Sequence, residues 1–284
     1  MTEKKIRIGI LFGGRSGEHE VSLMSARSVL SVLSQETYQV VPIGITHDGK
    51  WLIHPDDLEQ KPGEDLPGRH TLEALETNRV EGLIPVTLLP DPADPWLYLL
   101  RNTGNETILS PASPLDVLFP VMHGSFCEDG TLQGLFEVTG KPYVGAGVLG
   151  SSVGMDKALF KNVMEANGIP VLKSQVFTRQ QIVNDMPGVI ASAETIAPYP
   201  LFTKPANMGS SVGITKCHGR SDLMEGLMDA ARYDRRIMVE RGISAREIEV
   251  SVLGNEDAQA SIPGEIIPSR SEEHTSELQS RQVI

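Results

Sequence analysis

Lys204 closes an apolar run and opens the loop Pro205-Ala206-Asn207-Met208-Gly209-Ser210-Ser211-Val212-Gly213. That combination suits gripping nucleotide phosphates. Glycines allow close backbone approach, N–H groups and hydroxyls donate to phosphate oxygens, and the lysine supplies a compact positive charge. It is not a P-loop, because the G-x-x-x-x-G-K-[ST] spacing is absent and the lysine precedes the glycines. An ordinary hairpin between two apolar runs has the same composition, so this segment alone does not separate the two readings.

Two further loops could do chemistry. Gly13-Gly14-Arg15-Ser16-Gly17-Glu18-His19-Glu20 follows the apolar strand-like run Ile6–Phe12 and precedes a periodic apolar stretch, Val21–Leu33, giving strand, glycine turn and helix. His123–Gly130 follows another strand-like run, Asp116–Met122. Strands alternating with helices predict a parallel sheet, and ligands in such sheets sit at the carboxyl ends of the strands, where both loops would converge. Glu18 and Glu20 would also suit the positive end of a helix dipole with no ligand present.

The chain of 284 residues, 40% of them hydrophobic, is long enough for about two domains. A formal charge of −12 argues against nucleic acid and against anionic lipid as partners, and no apolar run reaches the length of a membrane span. Cys127 and Cys217 show no pairing pattern, and no secretory leader precedes Ile6, so a cytoplasmic location is expected. A second strand is expected at Tyr38–Ile45. Residues 55–113 read as an insertion with short strands near Leu83–Leu89 and Trp96–Leu100. Beyond residue 150 a second domain is expected, with a helix over Lys157–Asn167 and strands near Val171–Phe177, Pro200–Lys204 and Arg236–Glu240. A helix over Ser221–Tyr233 would be capped by Ser221. Arg246–Leu253 alternates Glu247, Glu249 and Ser251 with Ile248, Val250 and Val252, which predicts a half-exposed strand. A carboxylate there could receive a ribose hydroxyl or simply face solvent.

With these residues in view, the chain resembles the D-alanine–D-alanine ligases, members of the ATP-grasp superfamily. The resemblance rests on four segments in the family's order, covering residues 4 to about 268: Leu11–Ser22, His123–Gly134, Met155-Asp156-Lys157 and the Lys204–Gly213 loop. It implies an α/β protein with a parallel-sheet, Rossmann-like substrate-binding domain at 1–150 and an ATP-grasp α+β domain at 151–268, incomplete at its end. It also implies phosphorylation of one D-alanine by ATP to an acylphosphate, then displacement of phosphate by the amine of a second. D-alanyl-D-alanine, a peptidoglycan precursor, would be the product.

The resemblance assigns roles residue by residue. Glu18 matches the carboxylate that anchors the first D-alanine's ammonium, and His123 a histidine of the same pocket. Lys157 and Lys204 match the lysines on the ATP phosphates. Ser210 matches a serine bonded to the first glutamate and to a lid, and Ser211 the part of the loop covering the phosphates. Glu240, Arg241 and Ile243 match the segment lining adenine, largely through backbone groups, and Glu247 the ribose carboxylate. Glu128 and Asp129 look like supporting residues, and Lys161 like a structural one. Cys127 departs from the family's usual glycine.

The resemblance implies Mg²⁺ or Mn²⁺ for the intact parent, with ligands beyond the matched region, and a homodimer. Instead of a lid, an arginine and a metal cluster, residues 269–284 form a polar tail, and Arg270–Ser280 is what a common sequencing adapter encodes in one frame. The expectation is a truncated ligase whose polypeptide, as written, aggregates and lacks activity. The alternatives are a D-alanine–D-lactate or other ATP-grasp ligase and a nonenzymatic ATP-binding fragment. A dinucleotide oxidoreductase fits poorly, because Gly9, Gly13, Gly14 and Gly17 do not follow G-x-G-x-x-G.

Overall fold

A computed structural model of the chain describes residues 4–59, 66–209 and 211–267. The expected tail at 269–284 and Ser210 lie outside the described residues. The chain divides into two compact units, 1–156 and 157–284.

The first unit contains, in order, β1 (Ile6–Gly13), α1 (His19–Val32), β2 (Tyr38–Ile45), β3 (Trp51–Ile53), a 3₁₀ helix (Pro55–Leu58) and α2 (Arg69–Glu76). After these come β4 (Ile84–Leu88), β5 (Trp96–Asn102), β6 (Thr107–Pro114), β7 (Val117–Pro120), α3 (Thr131–Thr139) and α4 (Val148–Met155). Its sheet runs β6-β5-β4-β3-β2-β1-β7. β1 is parallel to both β2 and β7, so the parallel expectation holds for three strands. The other four join antiparallel, making the sheet mixed.

β1 reads as a continuous apolar run because both of its faces are covered. Ile8, Ile10 and Phe12 pack with Leu23, Ala26 and Leu30 of α1, while Leu11 packs with Leu118, Leu132 and Phe136 on the opposite side. Phe12 is wholly buried, and truncating such a side chain to alanine costs about 3–5 kcal/mol.

The segment read as an insertion extends this sheet through β3 to β6. It also holds α2, which the periodicity did not reveal. Only Thr71, Leu72 and Leu75 of α2 are buried, and Gly68 precedes it in the left-handed conformation at φ 77°. The amides that α2 leaves unpaired are taken by the wholly buried Asp57 carboxylate, which accepts from Thr71 N at 2.6 Å and His70 N at 3.3 Å. A cap supplied from twelve residues upstream leaves no local signature.

The second unit contains α5 (Lys157–Ala166), β8 (Ser174–Thr178), α6 (Arg179–Asn184), α7 (Met186–Ala193), β9 (Leu201–Pro205), β10 (Thr215–Cys217), α8 (Arg220–Tyr233) and β11 (Arg236–Arg241). Four short strands follow: β12 (Glu247–Glu249), β13 (Val252–Leu253), β14 (Gln259–Ala260) and β15 (Gly264–Ile266). The sheet order is β10-β9-β11-β8, antiparallel throughout. Leu223, Leu227 and Ala230 of α8 bury against Leu201, Ile237 and Val239.

Two local expectations are corrected. α8 begins after Gly219, not Ser221, with no side-chain cap; Asp222 accepts instead from His218 N at 2.8 Å, satisfying an amide just before the helix. Arg246–Leu253 is not one half-buried strand. Glu247–Glu249 pairs with β15 and Val252–Leu253 pairs with β14, in separate two-stranded ribbons. Among the described residues the alternation there has no core to face, and Ile248 is 47% exposed.

Candidate functional site

In the first unit, the loops after β1 and β7 meet as the sheet rule requires, because the two strands are adjacent and parallel. Gly14 N donates to Ile45 O at 2.8 Å, His19 Nδ1 bonds Gly14 O at 2.8 Å, and Ser22 Oγ accepts from Gly13 N at 2.8 Å while donating to Val121 O at 2.6 Å. Ser22 thus ties the end of β1 to the chain leaving β7. Glu18 stands at the N-cap of α1 without a side-chain capping bond. Its carboxylate lies against Gly124, where a Cβ would come within 2.3 Å of Glu18 Oε2 and where φ is +73°. Glycine is required there for both reasons.

His123 sits between Ser25 and Glu128: its Nε2 is 2.9 Å from Ser25 Oγ and its Nδ1 is 3.8 Å from Glu128 Oε1, an ion-pair distance. Glu128 raises the imidazole above the usual histidine range, burial partly opposes it, and Glu18 adds to the rise. Burial would raise the Glu128 carboxyl, but His123 and the amide of Gly124, which donates to Glu128 Oε2 at 2.8 Å, hold it below its ordinary value. Asp129 orders the loop by accepting from Phe126 N at 2.9 Å and Thr131 N at 3.0 Å. Phe126 is at φ +67°, with the Arg15 guanidinium 4.7 Å over its ring. Cys127 is buried, its thiol pushed up to about 12 by desolvation first and by Glu128 and Asp129 next. Glu18, His123 and Glu128 thus gather two carboxylates and an imidazole in the loops after β1 and β7.

In the second unit, a different charge set assembles on one carboxylate. Glu240 on β11 is 6% exposed. Lys161 Nζ of α5 lies 2.7 Å from its Oε2, and Lys204 Nζ of β9 bonds its Oε1. Antiparallel pairing places Lys204 opposite Met238, two residues from Glu240 and on the same side of the sheet. Burial would raise the Glu240 carboxyl, and the charges of Lys204 and Lys161 outweigh it, holding the group below its ordinary range. Lys157 Nζ donates to Met208 O in the loop, and its amide donates to Ala206 O at 2.9 Å. Three lysines therefore border the Lys204 loop. The loop turns tightly, with Ser211 at φ +59°, Gly213 at +69°, and Ile214 N bonded to Ser211 O at 3.1 Å.

The expected residues divide accordingly. Lys157 and Lys204 are brought together at the loop, with Ser211 in it. Lys161 belongs to the same charge set, although the sequence gives it only as a neighbour of Lys157 at i+4. Glu240 contributes a buried carboxylate, and as a central strand β11 commits much of its backbone to β8 and β9. Arg241 N donates to Lys173 O at 3.1 Å. Ile243 and Glu247 line a cavity of about 790 Å³ together with Phe202 and Lys216, so these two are brought together away from the sheet's interior.

Residues 7–146 match the family model described as D-ala D-ala ligase N-terminus, and residues 163–274 the one described as D-ala D-ala ligase C-terminus. A D-alanine–D-alanine ligase of Natranaerobius thermophilus is 44% identical over 267 residues, 94% of this chain and 68% of that protein. The crystal structure of the VanG D-Ala:D-Ser ligase of Enterococcus faecalis superposes with TM-score 0.75 at 32% identity, over 93% of this chain and 70% of that one. A D-alanine–D-alanine ligase of Coxiella burnetii superposes with TM-score 0.73 at 32% identity, over 93% and 69%. With both family models matched and a relative 44% identical over 94% of the chain, the chain belongs to the D-alanine–D-alanine ligase family.

Proposed function

We propose that the first unit binds D-alanine through Glu18 and His123, and that the second binds ATP through Lys157, Lys161, Lys204 and the Ser211 loop, for ligation to D-alanyl-D-alanine. The observation that carries this reading is Glu240 held between Lys161 and Lys204 beside a glycine- and serine-bearing loop. Phosphoryl transfer depends on positioning and on neutralising phosphate charge, and the lysines supply both. An arriving phosphate competes with Glu240 for Lys161 and Lys204, so Glu240 keeps the two ammonium groups in register before the nucleotide binds. Glu18 offers a carboxylate to an ammonium, and a protonated His123 offers charge to a carboxylate. Ile243 and Glu247 suit the nucleoside end, one as an apolar wall and the other as a hydroxyl acceptor.

Mg²⁺ or Mn²⁺, which the resemblance implies, needs carboxylate oxygens. In the second unit, Glu240 is already neutralised by two lysines, and Glu265 is held by Arg246 through two bonds of 2.7 Å. Those two carboxylates do not fit a phosphate-bridging metal, and no step is assigned to one. A homodimer is the assembly that we infer from the family. Two free buried cysteines and the charge of −12 support a reducing, cytoplasmic setting, and among the described residues no helix is long and apolar enough to cross a membrane.

The test is displacement of a fluorescent ATP analogue from the whole chain by ATP. Losing one charge-assisted contact, Lys204→Ala should weaken ATP about 10- to 100-fold. Unchanged affinity would remove the ATP assignment from the lysine loop. Calorimetric titration with D-alanine examines the other unit separately, and Glu18→Gln should abolish the heat of binding.

A further inference from the structure

We propose that His54, Asp56 and His70 form a binding site for one divalent transition-metal ion of the zinc class, separate from the residues assigned to D-alanine and ATP. One donor atom from each of the three lies within 4.8 Å of the others, and this is the one such trio among the described residues. His54 and Asp56 come from the start of the 3₁₀ helix, and His70 from the first turn of α2. The two imidazole rings stack with centroids 4.9 Å apart and planes 24° from parallel.

The arrangement behind the donors is what distinguishes this trio from a chance cluster. His70 Nδ1 is 2.8 Å from Asp57 Oδ1, and that carboxylate is wholly buried. Asp57 is itself fixed by Thr71, whose amide and hydroxyl both donate to its Oδ2 at 2.6 Å. Thr71 Oγ1 in turn accepts from His54 N at 2.9 Å, so one bonded network holds both histidine backbones. A buried carboxylate on Nδ1–H leaves the lone pair on Nε2 and fixes the ring, which is the usual support for a metal-bound histidine.

The remaining donors are free enough to complete a site. The side chains of His54 and Asp56 are 29% and 57% exposed, and His54 Nδ1 is 3.8 Å from Asp56 Oδ2. His54 Nδ1 now accepts a long bond of 3.2 Å from Asp56 N, a contact that a metal would replace. Ligand bonds of about 2.0–2.2 Å place tetrahedral donors roughly 3.4 Å apart, so the trio must contract by little more than an ångström through side-chain torsions. Two imidazoles and one carboxylate with a fourth position for water select zinc-like ions over magnesium or calcium, which prefer oxygen donors. Bound metal would join the 3₁₀ helix to α2, whose Leu75 packs behind Gly13 at the root of the Glu18 loop.

The test is calorimetric titration of the untagged whole chain with ZnCl₂, with Co²⁺ absorption as a second readout of coordination. The expected result is saturable binding of a single equivalent, weakened by well over tenfold in His54→Ala and His70→Ala and unchanged in His218→Ala. Asp57→Asn, which removes the carboxylate behind His70 and also weakens the cap of α2, should weaken binding about 10- to 100-fold. Asp56→Asn changes an exposed group and leaves the fold intact, so its loss of affinity keeps the test decisive if a histidine variant misfolds. No saturable binding, or binding equally strong in His54→Ala and Asp56→Asn, overturns the proposal.

Discussion

Replacing Glu240 by glutamine keeps the size of the side chain and removes the charge that Lys161 and Lys204 share. At 2.7 Å the Lys161 pair has a gross attraction of about 6 kcal/mol at an effective dielectric of 20. Much of that is offset by desolvating a carboxylate that is only 6% exposed. Removing one partner of a buried pair costs about 3–5 kcal/mol, because the charges left behind are uncompensated. The lysine side chains keep 16% and 22% exposure, so water reaches them and the lower end, about 3 kcal/mol, applies. Both tryptophans, Trp51 and Trp96, belong to the first unit, so their fluorescence does not report on this change. Hydrogen exchange of β11 and β9 amides does, and 3 kcal/mol corresponds to roughly hundredfold faster opening.

The dependence on pH gives the same reasoning a second check. Glu240's folded carboxyl lies below its unfolded value, so its contribution is fully present above the unfolded carboxylate range near 4.3 and is lost as pH falls through the folded value. Wild type and Glu240→Gln should therefore differ most at neutral pH and converge in acid. A loss under about 1 kcal/mol at pH 7, the range of exposed pairs, would show that the lysines are effectively solvated and that Glu240 does not hold them.

Three further outcomes follow from other sites. Gly124→Ala should weaken D-alanine binding and destabilise the first unit by about 1–2 kcal/mol or more, since the residue needs φ +73° and its Cβ would strike Glu18 Oε2; calorimetric titration and urea unfolding check it. The His123 imidazole should titrate above the usual histidine range by NMR and return toward it in Glu128→Gln. Because its folded value is raised, the stability it adds is present below the unfolded value and lost as pH rises through the folded one. Cys127 and Cys217, with thiols pushed up to about 12 and about 11 chiefly by burial, should resist a thiol reagent at pH 8 and react in urea.

The positions of these groups were unequally legible in the amino-acid sequence. β2 coincides with the apolar run Tyr38–Ile45, and β1 declares itself by burying both faces. The Lys204 loop is legible only together with the other three motifs, because glycine and serine between two strands also make an ordinary hairpin. Lys161 was not legible as part of the charge set, because its partner Glu240 lies 79 positions away and the two, one on α5 and one on β11, meet only in the folded unit. α2 was hidden for a related reason: its amides are capped by Asp57 across sequence rather than by a residue at its own start.

The ribbons after Arg246 fail in the opposite sense. Their alternation is clear, yet among the described residues no second layer covers them, so a pattern that elsewhere predicts burial leaves Val252 67% and Leu253 83% exposed. Alternation records that a segment can present two faces, whereas burial requires another element on one of them. The same limit applies to Glu247. Its place in the alternation shows that its side chain leaves the strand, but its use as a hydroxyl acceptor depends on the cavity that Phe202 and Lys216 form beside it, and those residues come from β9 and β10. Residues whose chemistry depends on their own loop are thus readable from local sequence, while residues whose chemistry depends on a partner strand become readable only once the sheet is paired.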